Sequence, residues 1–311
     1  MNRRQLLRRT AAFGFCGGAG ILAAAASARP RRIASDIVLG DVRARPDPLR
    51  PPPRDPIPVA FPLSDSAVVI DLCGPWEVFE SARASGRPNP LFRLYTVADT
   101  LDPITASGGM RIIPNFTLDT APPPRVVVIP GQGEPSAAML SWIRQTSPSA
   151  DLTMSVCTGA LILAKAGLLS GKAATTHHNF YTDLAVQFPD IRVTRGVRFV
   201  EAGNLATAAG QYSGVDLALR VVERYFGRTA AADTADFMEY QGSGWRDMNS
   251  NQAYRQHQMS TTAHPLCPVC EMNVDPRSAP QSTYRNRTYY FCMLRHKAIF
   301  DAAPERYLEP V

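Results

Sequence analysis

Cys157 stands where a short apolar stretch, Leu152-Thr153-Met154-Ser155-Val156, gives way to Thr158-Gly159-Ala160-Leu161 and a helix-forming run. A strand that ends on a nucleophile and turns at once into a helix needs a small residue close behind it, and Gly159 supplies one. Such a corner sets the sulfur at a helix N-terminus. There the dipole and the unpaired N–H groups favour the thiolate, the form that attacks electrophiles, so an ionised sulfur is expected. Asp71 and Gly131 fall at or just after the ends of other apolar stretches. A carboxyl near a thiolate in a partly dry pocket has its pKa raised and is suited to moving protons. Thr158 can donate through its hydroxyl or its N–H. Gly131 has two readings, a backbone donor to developing negative charge or a simple turn glycine. His177, twenty residues beyond the cysteine, also has two: a residue that approaches the sulfur or a hydrogen-bonded structural histidine.

A second constellation lies near the end of the chain. Cys267-Pro268-Val269-Cys270 is followed, after 21 intervening residues, by Cys292-Met293-Leu294-Arg295-His296. A C-x2-C turn chelates one ion, and a Cys and a His one helical turn apart complete a tetrahedral set of three sulfurs and one nitrogen. The competing reading is a reduced or disulfide-linked small unit with His296 merely exposed. Cys73 reads as a packing residue, and Asp216 as one that caps or orients a helix.

The elements that must position these residues alternate through residues 58–230. Residues 59–63, 92–97, 125–130 and 152–156 read as strands, and residues 76–84, 137–145 and 159–169 as helices, the first opened by Gly74-Pro75. His177 falls on a strand expected after the last of these. The alternation predicts an α/β fold, a flavodoxin-like doubly wound parallel sheet with helices on both faces, plus a small C-terminal metal-binding module. Ligands of such sheets sit beyond the C-terminal strand ends, where Asp71, Gly131 and Cys157 are expected to gather.

The flanks are of a different kind. Arg3-Arg4 before Leu6-Leu7, an apolar Ala/Gly-rich run and Ala26-Ser27-Ala28 have the layout of a twin-arginine signal peptide over residues 1–28; a basic leader that is never cleaved is the alternative. The apolar run is short for a membrane span, so no stable membrane anchor is expected. Residues 29–57 form a Pro/Arg-rich linker and residues 246–264 a polar one. Residues 1–57 hold 11 Arg, 4 Asp and no Lys, a net of +7 against +6 for the 311-residue chain. The remainder is therefore near neutral, and binding to nucleic acid is not expected.

The residues of the central region resemble the ThiJ/PfpI superfamily. The carrying blocks are Asp71-Leu72-Cys73-Gly74-Pro75-Trp76-Glu77-Val78-Phe79, Ile129-Pro130-Gly131-Gln132-Gly133, Ser155 through Leu161, Ala174-Thr175-Thr176-His177 and Gly214-Val215-Asp216-Leu217. The resemblance spans residues 58–245 and implies a class I glutamine-amidotransferase-like fold. Within the superfamily the blocks look most like isonitrile hydratases and the sensor halves of AraC-type regulators. The first branch implies the trio Asp71, Cys157 and Thr158 and conversion of an isonitrile and water to an N-substituted formamide through a thioimidate on Cys157. Asp71 and Thr158 stand where peptidase branches carry Glu and His, which argues against peptidase activity. Residues 265–311 resemble a YHS domain, with Lys297, Phe300, Pro304 and Tyr307 matching its tail. Glu271 departs from that family's usual Gly, and His296 from a second Cys. The resemblance implies a transition metal, with His296 favouring zinc over copper, and no cofactor is expected in the catalytic domain.

Three classes of function are thus open: a cysteine-dependent enzyme of hydratase or hydrolase type, an exported metal-handling or redox-stress protein, and a non-catalytic small-molecule sensor. The expected partners are a small-molecule substrate and a metal ion. A homodimer is common in the superfamily, and periplasmic or exported localisation follows from the leader.

Overall fold

The computed structural model describes residues 48–255, 260–261 and 265–308. The signal segment expected over residues 1–28 and most of the 29–57 linker lie outside the described residues. A seven-stranded sheet forms the centre. Its strands are β1 (Ile57–Pro62), β2 (Phe92–Ala98), β3 (Phe116–Thr117), β4 (Val126–Ile129), β5 (Leu152–Ser155), β6 (Phe199–Ala202) and β7 (Leu205–Ala208), in the spatial order β6-β7-β5-β4-β1-β2-β3. Every pairing is parallel except β6 with β7. Those two strands have no counterpart among the sequence expectations. They close through a two-residue turn in which Gly203 takes φ 71°, a backbone region that glycine enters without steric cost.

Helices cover both faces. These are α1 (Val69–Ser81), α2 (Ala137–Thr146), α3 (Gly159–Lys165), α4 (Tyr181–Gln187), α5 (Ser213–Phe226) and α6 (Arg228–Phe237). β4 shows how one strand serves two cores. Val126 and Val128 pack with Val78, Phe79, Leu217 and Val221 of α1 and α5, whereas Val127 and Ile129 pack with Met139, Ile143 and Leu163 of α2 and α3. A strand buried on both sides needs an unbroken apolar run, and Val-Val-Val-Ile is one. This is the mostly parallel α/β architecture that the alternation predicts.

The elements carrying chemistry differ in detail from expectation. α1 starts at Val69, before Gly74-Pro75, so Asp71 sits in a first helical turn and Pro75 lies inside the helix. Ser107 Oγ accepts from Val69 N at 3.0 Å, and Val68 N donates to Gly131 O at 2.7 Å. Tertiary partners thus fix the start that Pro75 alone suggests should come later. Cys73 faces solvent rather than packing. α3 ends at Lys165, four residues short of the expected end, in a turn with Gly167 at φ 76°. His177 lies past a two-residue strand, Ala173–Ala174, and caps a 3-10 turn over His178–Phe180.

Residues 240–255 pack against the sheet domain. Asp216, buried in the first turn of α5, receives hydrogen bonds from Arg198 Nε at 2.6 Å, Tyr240 Oη at 3.0 Å and Trp245 N at 3.0 Å. Asn251 and Gln252 donate to Val197 O and Gly196 O. Beyond them, hairpin strands β8 (Gln281–Tyr284) and β9 (Arg287–Tyr290) and helix α7 (Leu294–Ala302) surround a small core of Cys267, Val269, Cys270, Phe291, Phe300 and Tyr307. Among the described residues no helix is long and apolar enough to cross a membrane.

Candidate active site and metal centre

The end of β5 delivers Cys157 into a corner pinned from three sides. Val156 N donates to Ile129 O at 2.9 Å, Cys157 N to Ala209 O at 2.9 Å, and Thr176 Oγ1 to Cys157 O at 2.9 Å. Cys157 itself takes φ 57°, a left-handed conformation that costs a non-glycine residue about 1–3 kcal/mol and persists only where the surroundings enforce it. Gly159 makes the close approach possible. A Cβ there would lie 2.2 Å from Ile129 O and 2.9 Å from Pro130 O, both backbone atoms. Gly159→Ala is therefore expected to lower the unfolding free energy by about 1–3 kcal/mol, the range of an overpacked core, as read from urea denaturation. An unchanged midpoint would show that the corner is looser than this.

The structure brings Asp71, Gly131, Cys157 and Thr158 together. Gly131 N donates to Asp71 Oδ2 at 3.0 Å, and the Cys157 side chain hydrogen-bonds the same carboxyl group. Asp71 is fully buried, and its Oδ1 has no hydrogen-bond partner. The amides of Thr158 and Gln211 point at the sulfur. Gln211 is a participant that the sequence reading does not include; it follows β7, whose pairing to β5 brings it there. Gly131 does not serve as a free donor to developing charge, because its amide is committed to Asp71.

Burial pushes the Asp71 pKa up to about 7, although the Gly131 amide and the Cys157 thiol hold it down in part. Burial, followed by the Asp71 charge, pushes Cys157 up to about 12, and the Thr158 and Gln211 amides only partly oppose this. The expected thiolate is therefore not the resting form. α3 has only seven residues, and its dipole is outweighed by desolvation and a neighbouring carboxylate. Above about pH 7 the carboxyl is ionised while the thiol keeps its proton, so the pair then holds one proton, on sulfur.

His177 is near but does not join the pair. Its ring lies against Gly210, where a Cβ would meet His177 Cδ2 at 2.9 Å. Its Nδ1 accepts from Asn179 N at 3.2 Å. Burial, then His178, lowers its pKa to about 4, so the ring is neutral and carries its proton on Nε2. His178 stacks between His177 and Tyr254, with ring centroids 4.3 and 4.4 Å away.

Cys267, Cys270, Cys292 and His296 also gather, and their ligand atoms all lie within 4.8 Å of one another. Cys270 Sγ is 3.4 Å from Cys292 Sγ, and His296 Nδ1 is 3.2 Å from Cys292 Sγ and 3.6 Å from Cys267 Sγ. A tetrahedron with metal–sulfur bonds of about 2.3 Å and a metal–nitrogen bond of about 2.0 Å has edges of roughly 3.5–3.8 Å. The donors therefore fit a four-coordinate ion with only small adjustment. One divalent ion per chain is expected, and Cys270→Ser should weaken it at least tenfold in a competition titration with a chromogenic chelator. Equal affinity in both proteins would remove Cys270 from the ligand set.

The fold and the site define an α/β protein with a buried cysteine at a strand-to-helix corner, faced by an acidic residue. The chain belongs to the DJ-1/PfpI family, whose model matches residues 58–224. It is 34% identical over 188 residues to an isonitrile hydratase of Pseudomonas putida, covering 59% of this chain and 76% of that one. It is 26% identical over 196 residues to the HTH-type transcriptional regulator GbdR of Pseudomonas aeruginosa, of which it spans about half, 53%. A crystal structure of a THiJ/PfpI family protein from Pseudomonas syringae superposes with a TM-score of 0.55 at 28% identity, covering 68% of this chain and 84% of that one.

Proposed function

We propose that this chain is a cysteine-dependent hydratase that converts isonitriles and water to N-substituted formamides. The observation that carries the reading is the Asp71–Cys157 pair. A neutral thiol donates to a buried carboxylate whose pKa is about 7, and that carboxylate keeps one oxygen without a partner. A proton carrier is most effective when its pKa is near the working pH. Similarity to the Pseudomonas putida isonitrile hydratase supports the choice of substrate.

The chemistry balances with these groups alone. Asp71 takes the proton of Cys157 and delivers it to the terminal carbon of the isonitrile as the sulfur bonds to that carbon, giving a thioimidate, R–N=CH–S–Cys157. Water then adds to the same carbon, with Asp71 moving a proton from the water to the nitrogen. The C–S bond breaks, the sulfur regains a proton through Asp71, and R–NH–CHO leaves. The amides of Thr158 and Gln211 stabilise negative charge on sulfur as it develops and as it leaves.

Purified protein offered cyclohexyl isocyanide should release N-cyclohexylformamide, measured by chromatography. Cys157→Ala should lower the rate at least a thousandfold. Formamide production that survives this substitution would remove the sulfur from the mechanism.

The C-terminal cluster favours a second, compatible reading. It is a YHS-like metal module, and the mixture of three sulfurs with one imidazole suits zinc better than Cu(I). The Arg3-Arg4 leader supports export of the folded chain by the twin-arginine route.

A further inference from the structure

The two sites are joined by a short run of the sheet domain. Thr176 holds the Cys157 carbonyl, His177 lies against Gly210 beside Gln211, and Phe180 and Val186 pack on the core of the C-terminal module. Phe180 meets the His296 ring at 6.3 Å, nearly edge-on. The firmest link is Glu271, the residue after Cys270. It is buried, with its Oε1 accepting from Thr182 Oγ1 at 2.6 Å and lying 3.6 Å from Arg195 Nη1. Arg195 in turn donates to Thr182 Oγ1 at 3.2 Å and lies over the Tyr181 ring.

Glu271 takes φ 60°. That conformation suits the glycine of the YHS pattern and strains a glutamate by about 1 kcal/mol or more. A glutamate in a left-handed turn needs a compensating interaction, and the buried contact with Thr182 and Arg195 is one. The module, residues 265–308 as described, is also close to the size below which a lone apolar core does not hold a fold, and a metal or a docking surface must supplement it. Its ligand turn and its docking carboxylate are adjacent in sequence.

We propose that Glu271 is a positioning residue, through which metal held by Cys267, Cys270, Cys292 and His296 braces residues 176–182 and so keeps the wall of the Cys157 site closed. The coupling rests on the cluster being a metal site. Loss of the ion loosens the turn, frees Thr182 and Arg195, and lets the His177–Phe180 wall move away from Gly210.

The test uses full-length protein, zinc-stripped or carrying one equivalent of zinc, with bound zinc assayed in every sample. Iodoacetamide modification of Cys157 is followed on its own peptide by mass spectrometry. Zinc removal should speed alkylation of wild-type Cys157 at least fivefold. Glu271→Gly, which relieves the strained backbone, should bind zinc at least as well yet react at the fast rate with or without it. Glu271→Gln, which still accepts from Thr182, should recover part of the zinc response. If zinc binds and the wild-type rate does not change, or if Glu271→Gly keeps the full response, the coupling is wrong while the metal site stands. If no zinc binds, the metal reading fails and the coupling falls with it.

Discussion

Replacing Asp71 by Asn is expected to stabilise the fold at pH 8 while slowing turnover by orders of magnitude. The carboxyl has an ordinary pKa of 3.8 and is raised to about 7 when folded. The folded chain thus keeps a proton that the unfolded chain releases between about pH 4 and 7. The stability linked to this proton is fully present below about pH 4 and is lost as the pH rises through 7. A shift of about three units corresponds to at most ~4 kcal/mol. The Asn side chain carries no such penalty and still accepts from the Gly131 amide. A gain of about 2 kcal/mol at pH 8 is expected, or roughly 4–8 °C in Tm for a chain of this size, shrinking to near zero at pH 4. Formamide release should fall by about 10²–10⁴, the usual contribution of a positioned proton carrier. An equal Tm shift at both pH values would show that Asp71 is not buried as a proton-holding acid.

Gly131→Ala should also lower the rate, and through geometry alone. A Cβ at that position would lie 2.6 Å from Thr158 Oγ1 and 2.9 Å from Asp71 Oδ2. Both side chains have to move, and the carboxyl turns away from the sulfur. A displacement of about 1 Å at reacting groups costs on the order of 10²-fold in rate. A loss of that size in kcat is expected, with a circular dichroism spectrum like that of wild type. Retained activity would mean that the carboxyl need not sit against Gly131.

Much of this site is legible in the sequence because its parts are local. The Cys157 corner is encoded within seven residues, with Gly159 as the glycine that the close approach demands. The C-x2-C and C-x3-H spacings likewise bring their ligands together over single turns. What escapes the sequence depends on distant partners or on burial. The Gly131 amide is committed to a carboxylate 60 positions away, and Thr182 meets Glu271 across 89. Gln211 reaches the sulfur only because β7 pairs with β5. The start of α1 is set by Ser107 and Gly131 rather than by Pro75. The resting charge on Cys157 is misjudged from sequence because helix position speaks for a thiolate, whereas desolvation and a carboxylate, neither visible in residue order, decide for the thiol.

Above about pH 7 the proton of the Asp71–Cys157 pair rests on sulfur, and ultraviolet thiolate absorbance reports this directly. Zinc-loaded wild-type protein would be titrated against Cys157→Ser, so that the cluster sulfurs cancel in the difference, with circular dichroism confirming that both remain folded. The difference should show no thiolate at pH 7 and none up to pH 9, and Asp71→Asn should bring the thiolate in at lower pH. A full thiolate signal from wild-type Cys157 at neutral pH would place the proton on Asp71 and contradict the mechanism.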